Sequence, residues 1–431
     1  LKPFWLKHVL AQGNGAVPQP SPDEMIAQLQ SKCSACAGGG YSAVHTPVEK
    51  AEVQKKNAKK HDDNGPFKMK RVVRIHRDKV QCVALSGSQF ATASWDCTVK
   101  IYSLQADKVV QSFGKPKCRW TSKDHAAAHD TKHHGGHGWG LSLFGSHKAD
   151  HHHHGQEKKE EPSMHGLYSV AFSEILGQDL LACSSGRDEH GSIHVWDTKR
   201  GERVLQMGGH TEDVNCVEFH PRQQCMVSGS DDGTAKIWDL QNLCGTELRT
   251  LADHDNAVYG TSFLGKTMDY FVATCSFDTF CRVFDMRDQA LVQKLQFHTK
   301  DVIGVAFSEA KHLLATGGDD GHIALYDIRT WQIAQTIDTN QVHDGSEVKR
   351  IAFDHSGTML AAPCVTGDVL VYDVGQPQAK QVAQLAGHED CVFGVAWGVE
   401  DPGTDKAKRV LVSASHDATS HVWVEKDKPS K

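Results

Sequence analysis

The sequence predicts an all-β ring of seven four-stranded blades, and three observations carry that prediction. Self-similar segments recur through residues 68–424, and the marker histidines His165, His210, His254, His298, His343 and His388 stand 45, 44, 44, 45 and 45 residues apart. Fixed similarity at about 40–45 residues with four strands per unit is the signature of propeller blades. In the clearest unit, GHTEDVNCVEFHPRQQCMVSGSDDGTAKIWD, residues 214–219 and 226–230 are short runs of apolar and small residues, Asp-Asp-Gly marks a tight turn, and residues 234–238 alternate again. A fourth strand is predicted over residues 247–251, before His254 opens the next unit. Each unit also ends on an aromatic pair-leader: Tyr102, Trp196, Trp238, Phe284, Tyr326, Tyr372 and Trp423.

A second register supports the count, with a Ser or Thr four residues before an Asp in Thr92/Asp96, Ser184/Asp188, Ser228/Asp232, Thr274/Asp278, Thr316/Asp320 and Ser413/Asp417. With these markers the chain resembles the WD-repeat β-propellers over roughly residues 68–424. The resemblance implies a buried hydrogen-bonded tetrad, complete in His210, Ser228, Asp232 and Trp238. Such a network is stabilising only when complete, since an unpaired buried polar group costs about 1–3 kcal/mol. The sixth blade departs, with Ala362 and Thr366 at the Ser and Asp positions, so no tetrad is expected there. The marker histidines read as structural rather than catalytic.

In chain order, residues 1–11 are mildly apolar and basic but lack a secretory pattern. Beginning at Leu1, the chain reads as a fragment or a processed product. Residues 22–36 suit a short helix capped by Ser21, with Met25, Ile26 and Leu29 on one face. Cys33 and Cys36 form a lone CxxC without the further ligands that structural zinc needs. Residues 1–66 are therefore an N-terminal extension, helical or irregular, that ends in a charged linker, and residues 67–431 are the propeller. The seventh blade has only three strands of its own, so FKMKRVVRI at residues 67–75 is expected to supply its outer strand, as the resemblance implies. That closure removes an exposed sheet edge.

The first blade runs over residues 76–114, and a His-rich insertion at 115–164 separates it from the second. The insertion holds ten histidines from His125 to His154 and no pair of alternating strands. Three readings stay open: a solvated loop, a partner-binding arm that folds in a complex, and a divalent-metal tract through His125, His129 and His133. The last residues share one helical face, but no carboxylate or cysteine arrangement fixes a coordination geometry, so no metal is assigned.

At 431 residues the chain is long enough for a large core, and no apolar run approaches the roughly 18 residues of a membrane span. The formal charge of -6 makes no general case for nucleic acid. Thirteen scattered cysteines, an odd number, point to a reducing compartment, the cytoplasm, with an organelle interior possible after removal of a targeting segment. Hydrolase elbows, phosphate-cradling loops and zinc-protease motifs are absent, so no enzyme, cofactor or small-molecule substrate is implied.

A non-catalytic scaffold that binds other proteins in a larger assembly is the expected function. The resemblance implies that the residue before each turn Asp and the residue opening each inner strand surround the upper mouth of the channel. The first set is Trp95, Arg187, Asp231, Phe277, Asp319 and His416; the second is Gln81, Tyr168, Asn215, Tyr259, Ile303, Lys349 and Phe393. Aromatics and Arg dominate interface energies, so Trp95, Tyr168, Arg187, Tyr259, Phe277 and Phe393 are the expected partner-binding residues. The competing reading is that these rings pack on neighbouring loops. Two narrower resemblances bear on function. Phe284-Asp285-Met286-Arg287 and Tyr326-Asp327-Ile328-Arg329 resemble the blade endings of cullin ubiquitin-ligase substrate receptors, and residues 298–329 with 347–361 resemble the propeller of splicing-associated U-box ligases. A metal-responsive role through the insertion is the further alternative.

Overall fold

The computed structural model describes residues 65–114, 166–173, 175, 179–186, 191–265, 268–342, 346–400 and 407–427. The expected helix at 22–36, the CxxC and the histidines of the insertion lie outside these residues. After an opening strand β1 (Phe67–Val73), blade one comprises β2 (Val80–Ser86), β3 (Gln89–Ser94), β4 (Val99–Ser103) and β5 (Lys108–Phe113). Blade two holds β6 (Leu167–Phe172), β7 (Leu180–Ser185), β8 (Ser192–Asp197) and β9 (Glu202–Gly208). Blade three holds β10 (Val214–Phe219), β11 (Cys225–Ser230), β12 (Ala235–Asp239) and β13 (Thr246–Leu251), close to the edges read from sequence. Blade four follows with β14 (Val258–Phe263), β15 (Phe271–Ser276), β16 (Phe280–Asp285) and β17 (Leu291–Gln296). Blade five is β18 (Val302–Ser308), β19 (Leu313–Gly318), β20 (His322–Asp327) and β21 (Gln332–Asp338). Blade six is β22 (Ala352–Phe353), β23 (Met359–Pro363), β24 (Val369–Asp373) and β25 (Lys380–Leu385). The last blade contributes β26 (Val392–Glu400), β27 (Lys408–Ser415) and β28 (Ser420–Glu425).

Six sheets are simple antiparallel meanders, and the seventh has the order β1-β28-β27-β26. The opening strand therefore completes the last blade, with Phe67 opposite Glu425, Met69 opposite Trp423 and Val73 opposite Ser420. A side-chain latch reinforces the join, as Arg71 of β1 reaches blade one and contacts the Tyr102 hydroxyl and the Asp107 carboxylate. Among the described residues, no helix is long and apolar enough to cross a membrane.

The core lies between blades rather than within any one of them, because each sheet is apolar on both faces of its inner three strands. Between blades two and three, Ala182, Ile193, Val195 and Met207 meet Val214, Val217, Phe219, Met226 and Trp238. At the closure, Val73, Val412, Val422 and Val424 meet Val80, Val83, Phe90 and Tyr102. Burying each such side chain stabilises by about 1.5–3 kcal/mol. The outer strands expose alternate residues, as in Lys108, Val110 and Ser112 of β5.

One irregularity repeats around the ring and positions the channel mouth. The pairing of the first two strands slips at Gln81, Tyr168, Asn215, Tyr259, Ile303 and Phe393, each the second residue of its inner strand. A bulge of this kind re-aims the extra side chain. Blade six breaks the pattern. Its inner strand has two residues, and just before it Val348 bridges Cys364 while Arg350 bridges Gly394 of blade seven in parallel.

Candidate functional site

Blade three shows how the tetrad orders its own turn. His210 Nδ1 lies 2.8 Å from Asp232 Oδ2 and Nε2 2.7 Å from Ser228 Oγ, while Trp238 Nε1 donates to the same Ser228 Oγ at 2.8 Å. A carboxylate only accepts, so Nδ1 carries the hydrogen and Ser228 donates to Nε2. Burial opposes ionisation of Asp232, but the bond from His210 and those from Thr234 outweigh it and hold the carboxyl far below its usual range. Blade seven repeats the full set in His388, Asp417, Ser413 and Trp423.

The other blades keep part of it. His76, His254 and His298 each contact an Asp and a Thr, but Tyr102, Phe284 and Tyr326 stand where Trp would donate. In blade six, Ala362 is fully buried and the Tyr372 hydroxyl is buried without a partner, so the aromatic closes no network. In blade two, the Ser184 hydroxyl is buried and has no partner among the described residues, which do not include His165 and Asp188.

The rim residues come together in two unlike halves. One half is an arc of rings crossing blades seven, one and two. Phe393 stacks on His416 with centroids 5.6 Å apart, His416 lies 6.1 Å from Trp95, and Trp95 meets Tyr168 edge-on at 6.3 Å. Lys79 Nζ sits 4.7 Å from the Trp95 ring, a cation–π distance. Gly166 is required beside it, since any Cβ there would come within 2.6 Å of the indole. His416 shares a hydrogen bond with Gln81 at 3.2 Å, and burial, helped by the charge of Lys79, pushes its pKa down to about 4.

The other half is acidic. The Tyr168 hydroxyl donates to Asp213 at 3.1 Å, and Asn215 Nδ2 donates to Asp231 at 2.7 Å. Tyr259 and Phe277 stack in parallel at 4.2 Å. Beyond them stand Asp301 and Asp319, and Lys349 Nζ binds Asp319 at 2.8 Å and Glu347 at 2.9 Å. Burial raises the pKa of Asp231, Asp301 and Asp319, the last to about 6 despite Lys349. Trp95, Tyr168, Tyr259, Phe277 and Phe393 are all half-buried, each with a ring partner or hydrogen bond on the rim. Arg187 lies outside the described residues.

Arg350 is the rim residue that the motif reading missed. From blade six its guanidinium donates to the main-chain carbonyl of Tyr168 at 3.3 Å and to that of Asn215, and it lies 5.6 Å from the Phe393 ring. Blades two and three are three places from blade six in either direction, so this side chain spans the channel. Its signal was present in the repeat. The residue after each opening position is Cys82, Ser169, Cys216, Gly260, Gly304 and Gly394 in six blades, all small, and Arg350 in the remaining one. The aromatic-Asp-x-Arg endings, by contrast, close on themselves, with Arg287 Nε bonded to Asp285 and Arg329 Nε to Asp327, both at 2.9 Å.

Comparison with known proteins agrees with this architecture. The family described as WD domain, G-beta repeat matches residues 67–103 and 201–239, and the family described as Nucleolar protein 10-like, N-terminal domain matches residues 261–426. The chain is 29% identical over 230 residues to Nuclear distribution protein nudF of Aspergillus niger, covering 50% of each chain. It is 24% identical over 272 residues to Pre-mRNA-processing factor 19 of Oryza sativa subsp. japonica, covering 51% of this chain and 49% of the relative. It is 25% identical over 270 residues to a Ribosome biogenesis protein WDR12 homolog of Anopheles gambiae, covering 57% of this chain and 61% of the relative. The chain thus spans about half the length of these relatives. Its repeats, its seven closed blades and these matches agree, and the chain belongs to the WD-repeat β-propellers.

Proposed function

We propose that the chain is a non-catalytic scaffold that holds other proteins in a larger assembly through the rim of its channel. One observation carries the reading: five aromatic side chains from blades one, two, four and seven converge at one mouth, half-buried and held in place by each other and by the bulges beneath them. Large rings in a rigid frame give contact area at little entropic cost, which suits anchors of a protein interface. The relatives named for nuclear distribution, pre-mRNA processing and ribosome biogenesis share the repeat and support work within assemblies. The ten described cysteines are all free, nine of them buried, which supports a reducing compartment such as the cytoplasm.

The test is affinity purification with mass spectrometry on the intact chain, on a chain lacking residues 115–164, and on the pair Trp95→Ala with Phe277→Ala. Partners that vanish with the double substitution while the ring still melts cooperatively support the rim. Partners that survive both changes place the interface elsewhere.

A further inference from the structure

We infer that the acidic half of the channel mouth receives a cationic side chain, an arginine or lysine, presented by the partner protein; this rests on the rim being the binding surface. Charge is the first argument. Asp213, Asp231, Asp301, Asp319 and Glu347 gather on blades three, five and six, against two cations at the mouth, Lys349 and Arg350, and the exposed Lys300 next to Asp301. Both cations are already engaged, Lys349 by Asp319 and Glu347, and Arg350 by the carbonyls of Tyr168 and Asn215. The Asp301 carboxylate has no hydrogen bond or ion pair among the described residues, and Asp231 is met only by an uncharged amide.

The second argument is independent of the charges. Asn215 is 1% exposed, and both hydrogens of its amide are committed, to Asp231 and to the Val258 carbonyl at 3.2 Å. Those two acceptors fix the orientation of the amide, and its Oδ1 is left buried without a donor. An orphaned acceptor beside an under-neutralised carboxylate calls for a group rich in N–H donors and positive charge.

The aromatic pair completes the receptacle. The Tyr259 phenol feels the charges of Asp231, Asp213 and Asp301, so the Tyr259–Phe277 stack stands between the acids of blades three and five. Ring faces attract a cation, and more strongly when it is partly desolvated. Arg350 reaches across the channel to the carbonyls of Tyr168 and Asn215, and its charge also acts on Tyr259. An inserted cation would relieve the repulsion that, with burial, raises Asp231 and Asp319.

The experiment selects phage-displayed random dodecapeptides on the full chain and measures the recovered peptides by fluorescence anisotropy. The expected result is enrichment in Arg or Lys, a loss of about tenfold or more in affinity when that residue becomes Gln, and the same loss with Asp231→Asn plus Asp301→Asn. Glu202→Gln, on the outer strand of blade two, should leave binding unchanged, and thermal melting verifies that each variant is folded. Recovered peptides without a required cation, or full binding by the Asp231→Asn, Asp301→Asn chain, would overturn the inference. Cellular partners separate the two readings. If they are lost with Trp95→Ala and Phe277→Ala but kept with the two Asn substitutions, the rim stands and the cation site falls; if they are kept throughout, the rim itself falls.

Discussion

The imidazoles of His388 and His421 lie face to face in the last blade, centroids 3.5 Å apart and planes 12° from parallel. His388 spends both nitrogens on the tetrad, whereas His421 is 3% exposed and its Nδ1 has no partner. These two histidines and Asp417 are close enough to suggest a metal site. Stacked rings, however, aim their lone pairs along parallel planes and do not converge on one ion. The arrangement instead makes His421 a neutral filler whose protonation the fold resists. Burial, then the neighbouring His388, holds its pKa well below the usual 6.5.

The first prediction concerns acid. Below pH 6.5 the unfolded chain takes up protons that folded His421, His194 and His416 refuse, the latter two down to about 4. Stability therefore falls as pH drops from 6.5 towards 4. Asp319 works the other way between about 6 and its ordinary 3.8, because its folded form holds the proton. With His421→Leu, the pH dependence should flatten by one proton, about 1.4 kcal/mol per pH unit. Urea denaturation at several pH values measures it, and an unchanged slope would refute the role given to His421.

Two serines at the same repeat position should behave oppositely. Ser228→Ala strands both His210 Nε2 and Trp238 Nε1 in the core, and the cost should be about 2–4 kcal/mol. Ser184→Ala removes a hydroxyl without a partner among the described residues, so the change should be near neutral or mildly stabilising. Denaturation midpoints of the pair provide the comparison.

Arg350→Met removes the spoke across the channel. The released carbonyls of Tyr168 and Asn215 can hydrate, so the expected loss is about 1–3 kcal/mol rather than collapse. Arg350→Lys should recover only part, because an ammonium lacks the planar fork that reaches two carbonyls at once. Equal stability of all three chains would show that the spoke is idle.

Thr279 occupies the turn position held by Gly233 in blade three, at φ +74 against +78. A β-branched residue is strained there. Thr279→Gly should raise the melting temperature, with a gain of about 1 kcal/mol, the size of the left-handed penalty less the entropy a glycine loses. A lower melting temperature would mean that the threonine side chain has a packing role outweighing the strain.

Deleting residues 67–75 should lower the melting temperature of the entire ring, because β28 would then expose its edge and Arg71 would leave Tyr102 and Asp107. A melting curve that superimposes on that of the intact chain would contradict the closure's energetic role.

How far the sequence could be read followed from what repeats. Blade three was legible nearly to the residue because turn, Ser-Asp spacing and terminal Trp all occur in it together. The closing strand was legible by subtraction, since only one apolar alternating run stood ahead of the first blade. The grouping of opening and pre-turn residues at one mouth was what the family resemblance implied, and the bulges explain why the opening side chains turn there. What periodicity cannot convey is contact between repeats. Tyr102 stood in the sequence as the aromatic ending its unit, but its hydroxyl also meets Arg71 of β1, a strand that belongs to the sheet of the last blade. Arg350 was hidden in an irregular unit, the one whose inner strand has only two residues.

The pairing of Phe67 with Glu425 and of Val73 with Ser420 has a consequence for biosynthesis. As the polypeptide leaves the ribosome, β1 emerges before any blade and its partner β28 after all of them. Through most of translation the first strand is a bare edge, held only by whatever shields it, and contacts this remote in sequence form slowly. The ring locks in a single late step. A ribosome stalled within the last blade would therefore leave six blades made and an open, adhesive circle, so chaperone demand should peak at the end of synthesis rather than build evenly along it.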